Sequence, residues 1–337
     1  MENNNNKQST IKQAVVITSI FAPTEAVFAF AKQADYKLIV VGDKKTPADW
    51  ACENVAYLSV ADQMDLGYEM HQHLPYNHYC RKMLGYLYAR QQGAKVIVDT
   101  DDDNIPYADW QFPDLTAQYD TTAADAGFIN IYQAYTEQPI WPRGLPLRLI
   151  KSANTWLKDL SPAAANIGVW QGLADEDPDV DAIYRLTSDA PCFFGKRAPI
   201  ALAKGTVTPF NSQNTMFRSE LFSLMYLPGY VTFRFTDILR GIVAQPIMWK
   251  HGYQLGFTNA TVIQKRNPHD YFKDFVSEIP MYEHIDKLVE IVDKPLSANF
   301  SVAENLYVAY EALLAHNIVT PAELKTLAAW VDDCSKL

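Results

Sequence analysis

The sequence predicts an α/β protein whose sheet is mixed but mainly parallel, flanked by helices and followed by a helical C-terminal extension. Three observations carry that expectation. Residues 14–18 and 36–41 are apolar and β-branched, and between them residues 24–32 have helical spacing with Thr24 as N-cap. Strand, helix and strand at that spacing make the βαβ unit of a parallel sheet. A further apolar run, Val96-Ile97-Val98, stops abruptly at Asp99-Thr100-Asp101-Asp102-Asp103-Asn104. A buried strand cannot hold those charges inside, so they emerge at its C-terminal end, where open α/β sheets place ligands. Near the end of the chain, Ser301-Val302-Ala303-Glu304 and Thr320-Pro321-Ala322-Glu323 read as capping boxes, the second with Pro at N1. They open helices over residues 302–315 and 321–334.

Length and composition set the bounds. The 337 residues divide into a polar, Asn-rich stretch at 1–10 expected to be disordered, an α/β domain at 11–280 and a helical extension at 281–337. The extension is expected to pack on the domain or on another subunit, without a part in the chemistry, which leaves a homo-oligomer open. A net charge of −10 argues against a nucleic-acid binder, whose footprint would be basic. The four cysteines are scattered with no metal spacing, which favours a reducing compartment. No apolar run approaches the length of a membrane span. The expectation is a cytoplasmic protein.

Along the chain, the loops after Ile17 and Val41 open on the same sheet edge as the acidic run, which makes Thr18 and Asp43 candidate ligand contacts. Asp43 suits a ribose or base hydroxyl, or an ordinary turn. From Tyr79 the spacing is helical, up to a C-cap at Gly93. Arg81 and Lys82 fall in its first turn, where the helix dipole disfavours cations unless an anion is near. If the extension continues past Val98, then Asp99, Asp101 and Asp103 share one side and Asp102 points away. Carboxylates so close repel one another unless a cation neutralises them, and hard oxygens without cysteine suit Mg²⁺ or Mn²⁺. An EF-hand loop is excluded, because positions six and twelve are Asn104 and Trp110. Two readings stay open here: a haloacid-dehalogenase-type phosphatase using Asp99 and Asp101, and the Asp-x-Asp motif of nucleotide-sugar glycosyltransferases.

Further on, Trp141 is a candidate acceptor-side aromatic. Asp175-Glu176-Asp177-Pro178-Asp179 reads as a solvated acidic connector and residues 180–186 as a strand. Asn211-Ser212-Gln213-Asn214 offers amides and hydroxyls for sugar hydroxyls, or for turns. Asp237, at the start of a helix, is either an N-cap or a general base.

These residues carry a resemblance. Val40 to Pro47, Leu74-Pro75-Tyr76-Asn77, Tyr79-Cys80-Arg81-Lys82, Gly85 to Ala89, Asp101 to Asn104, Pro209 to Thr215, Arg234 to Gly241 and Arg266-Asn267-Pro268-His269 resemble the STELLO family of glycosyltransferases, across residues 14–275. The Cys-Arg, Gly-Tyr and triple-Asp part also resembles the plant reversibly glycosylated polypeptides, which handle UDP-arabinose. The resemblance implies a GT-A-like fold and a metal-dependent transfer of sugar from a nucleotide-sugar donor, a UDP-sugar first, to an acceptor hydroxyl of a glycan. It implies Asp101 and Asp103, with His269, as ligands of Mn²⁺ or Mg²⁺; Thr18, Asp43, Arg81, Lys82, Asp102 and Asn211 as donor contacts; and Asp237 as the base. A phosphatase or phosphotransferase using Asp99 and Asp101 and a non-catalytic nucleotide-sugar-binding module are the remaining alternatives.

Overall fold

Burial on both faces decides the first half of the sheet. In a computed structural model describing residues 11–188, 190–267 and 269–337, β1 (Gln13–Thr18) is buried from Ala14 to Ile17. The stretch 1–10 expected to be disordered lies outside the described residues. After α1 (Glu25–Phe30), capped by the Thr24 hydroxyl as expected, come β2 (Lys37–Val41), β3 (Val55–Leu58) and α2 (Val60–Asp65). Next, α3 (Lys82–Gln91) ends at Gly93, whose φ of 94° only glycine adopts freely, and leads to β4 (Val96–Thr100). β3, β2, β1 and β4 lie side by side and parallel, with Val15 opposite both Leu38 and Val98.

The second half is organised by one long strand. β5 (Asn104–Pro106), β6 (Thr116–Thr121) and β7 (Gly127–Phe128) precede β8 (Ser161–Asp175), which runs for 15 residues. Then follow α4 (Ala182–Thr187), β9 (Ile200–Ala201), β10 (Thr206–Val207), β11 (Asn214–Arg218), α5 (Thr236–Lys250) and β12 (Gln254–Gln264). β11 pairs antiparallel with both β4 and β8, while β8 and β12 run parallel. The resulting ten-stranded sheet has the order β3-β2-β1-β4-β11-β8-β6-β9-β12-β5, with β7 and β10 paired separately. The fold is therefore α/β on a mixed sheet, parallel through its first four strands.

One apolar layer, including Val16, Ile39, Leu84, Leu87 and Ile97, continues into α5, whose residues from Thr236 to Met248 are all buried. The opposite face packs Val15, Ile17, Phe30, Val98, Trp110 and Trp170. Three helices complete the chain: α6 (Tyr271–Asp293), α7 (Val302–Ala315) and α8 (Pro321–Ser335). α6 runs straight through residue 280, so the expected domain boundary falls inside a helix. Among the described residues no helix is long and apolar enough to cross a membrane.

Two local readings need correction. Residues 182–187 form α4 rather than a strand, because the Asp181 carboxylate accepts from Tyr184 N and starts a helix. A short apolar run does not by itself distinguish a strand from a helix. At α8, Glu323 does not close a capping box, and Thr320 makes no side-chain cap bond. The Glu323 carboxylate turns inward and accepts from the Tyr226 hydroxyl, from Gly229 N at 3.2 Å and from Tyr230 N at 2.8 Å. By contrast the Ser301 and Glu304 box forms as expected.

Gly85 marks the tightest helix-to-sheet contact relevant to the site. A Cβ there would sit 2.6 Å from Val16 Cγ1 and 2.7 Å from Val41 Cγ2. Alanine is the better helix former by about 1 kcal/mol, but overpacking costs about 1–3 kcal/mol. Gly85→Ala is therefore expected to lower the melting temperature. An unchanged or raised value would mean that α3 does not rest on β1 and β2 this closely.

Candidate active site

The acidic run leaves the core at Thr100, whose hydroxyl donates to Gln213 O at 2.7 Å. The chain then turns instead of staying extended, with Asn104 N bonded to Asp101 O at 3.3 Å. As a result Asp101, Asp102 and Asp103 all line one cavity, and Asp102 does not point away. Flanking elements clamp the turn. Ser19 and Thr24 hydroxyls donate to the Asp102 carboxylate and carbonyl, while Gln264 Nε2 reaches Asp103 Oδ2 at 3.1 Å. β5 pairs with the end of β12, Asn104 opposite Gln264, and Lys265 N donates to Asp103 O at 2.9 Å.

Beneath the turn lies a buried ion network. Asp99 is fully buried, with Oδ1 2.8 Å from Lys82 Nζ and Oδ2 2.6 Å from Arg240. Both oxygens are committed away from the cavity, which removes Asp99 as a phosphatase nucleophile. Lys82 spends its three donors on Asp99 Oδ1 at 2.8 Å, Thr100 O at 2.7 Å and Asp101 Oδ1 at 2.8 Å. The expectation that Lys82 touches a donor nucleotide is corrected: the anion that relieves the unfavourable cation at the helix start is the protein's own acidic turn. Burial, with Asp103 and Asp99 adding to it against Lys82, pushes the Asp101 carboxyl up to about 6. Burial likewise raises Asp103, whose Oδ1 has no hydrogen-bond partner among the described residues.

The cavity, about 290 Å³, gathers the remaining candidates: Thr18, Asp43, Arg81, Asn211, Asp237 and His269 all line it. Asp43 accepts from Asn77 N at 2.6 Å and Lys44 N at 2.7 Å, fixing the wall after β2. Arg81 is fully buried; its Nε and one terminal nitrogen hold Gln63 Oε1, and its plane lies 4.3 Å from the Tyr76 ring. Asn211 gives its amide nitrogen to Asp179 Oδ2 at 2.9 Å. His78, stacked on Tyr79 with centroids 5.2 Å apart, is pushed down to about 4 by burial.

Asp237 is the second residue of α5, not its N-cap, which is Phe235. Arg143 NH2 lies 3.1 Å from both of its oxygens, Ser212 N donates to Oδ2 at 3.2 Å, and the Tyr79 hydroxyl lies 3.3 Å from Oδ1. Arg143 simultaneously forks onto Asp179, at 2.9 and 2.8 Å. Together with Arg234, the Arg143 guanidinium holds the Asp179 carboxyl well below the usual carboxylate range, although burial opposes it.

Arg143, Asp179, Arg234 and Arg266 were not singled out from the sequence. The supposed solvated connector is their counter-charge: Asp179 is buried, and Asp177 pairs with Arg266 at 2.7 Å and with Arg185. The only sequence signal was a run of acids beside apolar segments, which does not distinguish solvent from buried arginines. Trp141 does not line the cavity; its indole donates to Asp181 Oδ2 at 2.6 Å and its ring packs on Tyr184. His269 Nδ1 lies 2.9 Å from Asp274 Oδ2. Among the described residues no three His, Cys, Asp or Glu side chains form a metal-holding group, so the set Asp101, Asp103 and His269 does not close here.

Helices α6 and α8 brace the segment that leads into α5. Arg234 is held by Glu278 of α6 at 3.0 Å, and Ser277 accepts from Thr232 and Arg234 N. Glu323 of α8 secures residues 226–230, immediately upstream.

The family model described as STELLO glycosyltransferases matches residues 234–337, the stretch holding Arg234, Asp237, Arg266, His269 and Glu323. The chain is related in sequence to the STELLO glycosyltransferases. Two Arabidopsis thaliana proteins, named Probable glycosyltransferase STELLO1 and Probable glycosyltransferase STELLO2, are each 28% identical over 95% of this chain. The chain spans 44% of the length of each. Among solved structures, the M. tuberculosis glucosyl-3-phosphoglycerate synthase aligns over 86% of this chain and 82% of its own, with 9% identity and a TM-score of 0.35.

If Lys82 is the internal counter-ion of the acidic turn, Lys82→Met leaves Asp101 without its cation and Asp99 with Arg240 alone, and should cost about 3–5 kcal/mol of stability. A variant that keeps its melting temperature and loses only nucleotide affinity would restore Lys82 to the ligand side.

Proposed function

We propose that this chain transfers a sugar from a nucleotide-sugar donor, a UDP-sugar first, to an acceptor hydroxyl of a glycan. The observation that carries the reading is the clamped turn Asp101–Asp103, with an unpartnered carboxylate oxygen on Asp103, sharing one cavity with Asp237. The names of the related proteins support it.

The donor set fits a divalent cation. Asp101 and Asp103 offer hard oxygens, burial raises both carboxyls, and Asp103 Oδ1 has no hydrogen-bond partner among the described residues. Two carboxylates are the usual protein share of a Mg²⁺ or Mn²⁺ site whose other ligands are phosphate oxygens and water. When bound, such a cation supplies charge neutralisation for the departing diphosphate. Thr18, Asp43 and Asp102 flank the end of the parallel strands, where the nucleoside would lie, and Asn211 lines the same cavity. Arg81 acts from behind this wall, holding the segment 74–77 through Gln63, Tyr76 and Leu74 O.

On the acceptor side Asp237 takes the proton of the attacking hydroxyl. Arg143, Ser212 N and Tyr79 hold its carboxylate in one orientation. Direct attack assisted by this base inverts the anomeric centre.

Incubation with UDP-, GDP- and ADP-sugars and Mn²⁺ should release nucleotide, and a chelator should abolish that release. Absence of both nucleotide release and saturable UDP binding would end the reading. Asp237→Asn should reduce turnover by about 10²–10⁴ while leaving donor affinity intact, since an amide cannot accept the proton. Retained turnover at a normal melting temperature would exclude Asp237 as the base.

A further inference from the structure

A second concavity, about 560 Å³, lies one short strand away from the first. β5 joins them: Asp103 just before it lines the first cavity and Tyr107 just after it lines the second. β12 makes the same passage from Gln264 to Thr261, and the end of β8 leads from Asp175 of the second to Asp179 of the first. At about 3.3 Å per residue, the four steps from Asp103 to Tyr107 span at most about 13 Å.

This hollow is built rather than left over. Asp175, buried at its base, accepts from the Tyr107 hydroxyl at 2.7 Å with one oxygen and from Phe194 N at 2.8 Å with the other. One carboxylate thus staples the two walls together. The floor is β12, whose register against β8 shifts three times, two of them here, between Thr258 and Ala260 and between Ala260 and Val262. Asn259 and Thr261 are the two extra residues, and both line the hollow. Bulges re-aim side chains that a regular strand would place elsewhere. Thr261 is fixed by Asn214 Nδ2 at 2.8 Å, whereas among the described residues the Asn259 amide nitrogen has only Ala260 O, at 3.3 Å.

The charged lining is two carboxylates, Asp109 and Asp175, against one ammonium, Lys196, a formal balance of −1, and Asp175 is tied up by neutral donors. That does not suit a phosphate. Tyr107 and Phe112 bring apolar ring faces, and Gln111 and Asn259 bring amides that both donate and accept. Ring faces for C–H surfaces, with amides for hydroxyls that are donors and acceptors at once, suit a neutral sugar.

We infer that this second concavity is a glycan subsite, holding the part of an oligosaccharide acceptor remote from the hydroxyl that reacts in the first cavity. The inference rests on the glycosyl-transfer reading for its link to catalysis, and on the Tyr107 to Asn259 constellation for its location.

The test measures binding of neutral hexasaccharides (α-1,4- and β-1,3-linked glucose, β-1,4-linked xylose and β-1,4-linked mannose) to the full chain, alongside the corresponding monosaccharides. The double variant Gln111→Ala, Asn259→Ala is measured in parallel, since neither side chain belongs to the first cavity. The expected result is a hexasaccharide that binds the wild type more tightly than its monosaccharide does. The double variant should bind that hexasaccharide about tenfold more weakly or worse, with nucleotide release from the donor unchanged. Binding of no hexasaccharide, or equal binding by wild type and variant, overturns the subsite. A wild type that releases no nucleotide but binds a hexasaccharide through Asn259 would end the transferase reading and leave the subsite standing.

Discussion

Everything at the candidate site rests on the buried ion network of Lys82, Asp99, Arg240 and Asp101. Lys82 and Arg240 are fully buried between α3, β4 and α5, and Asp99 satisfies one with each oxygen. Removing such charges from water is expensive, and their mutual attraction offsets that cost only with close pairing and further hydrogen bonds. Here the Lys82 ammonium meets three oxygens, and Arg240 meets Asp99 and Asn211 O at 2.8 Å, leaving only its Nε without a partner among the described residues. The network therefore ties the start of α3, the end of β4, the 211–214 segment and α5 to one another. Its function is placement: it leaves Asp101 half-shared and pushes Asp102 and Asp103 onward into the cavity.

A second network fixes the opposite wall. Arg143 lies between Asp179 and Asp237, and Arg234 between Asp179 and Glu278. These groups come from a loop, from the segment after β8, from the start of α5 and from α6. An arginine fork suits this work because its planar donors meet two carboxylates in fixed directions. Pre-set orientation at Asp237 is what a base needs, since reorganisation during reaction would otherwise raise the barrier. α6 supports this wall through Ser277 and Glu278, and Glu323 of α8 holds residues 226–230 upstream of it.

Read from sequence alone, the elements that persist are those whose signal is local. β1, α1, β2, α3 and β4 follow from apolar runs, a Thr cap and a glycine terminus, and α7 follows from its capping box. The position of the acidic turn at a strand end follows from the cost of burying its charge. Those determinants act over a few residues, so one chain suffices to read them. What only tertiary structure decided is where each long charged side chain goes. Lys82 and Glu323 turn inward and the 175–179 run becomes a counter-charge, because partners from distant strands and helices are there to receive them. Arg143 reaches Asp237 across 94 positions of sequence and Arg240 reaches Asp99 across 141. No local pattern encodes such a pairing, since a charged residue reads the same whether it meets water or a buried partner.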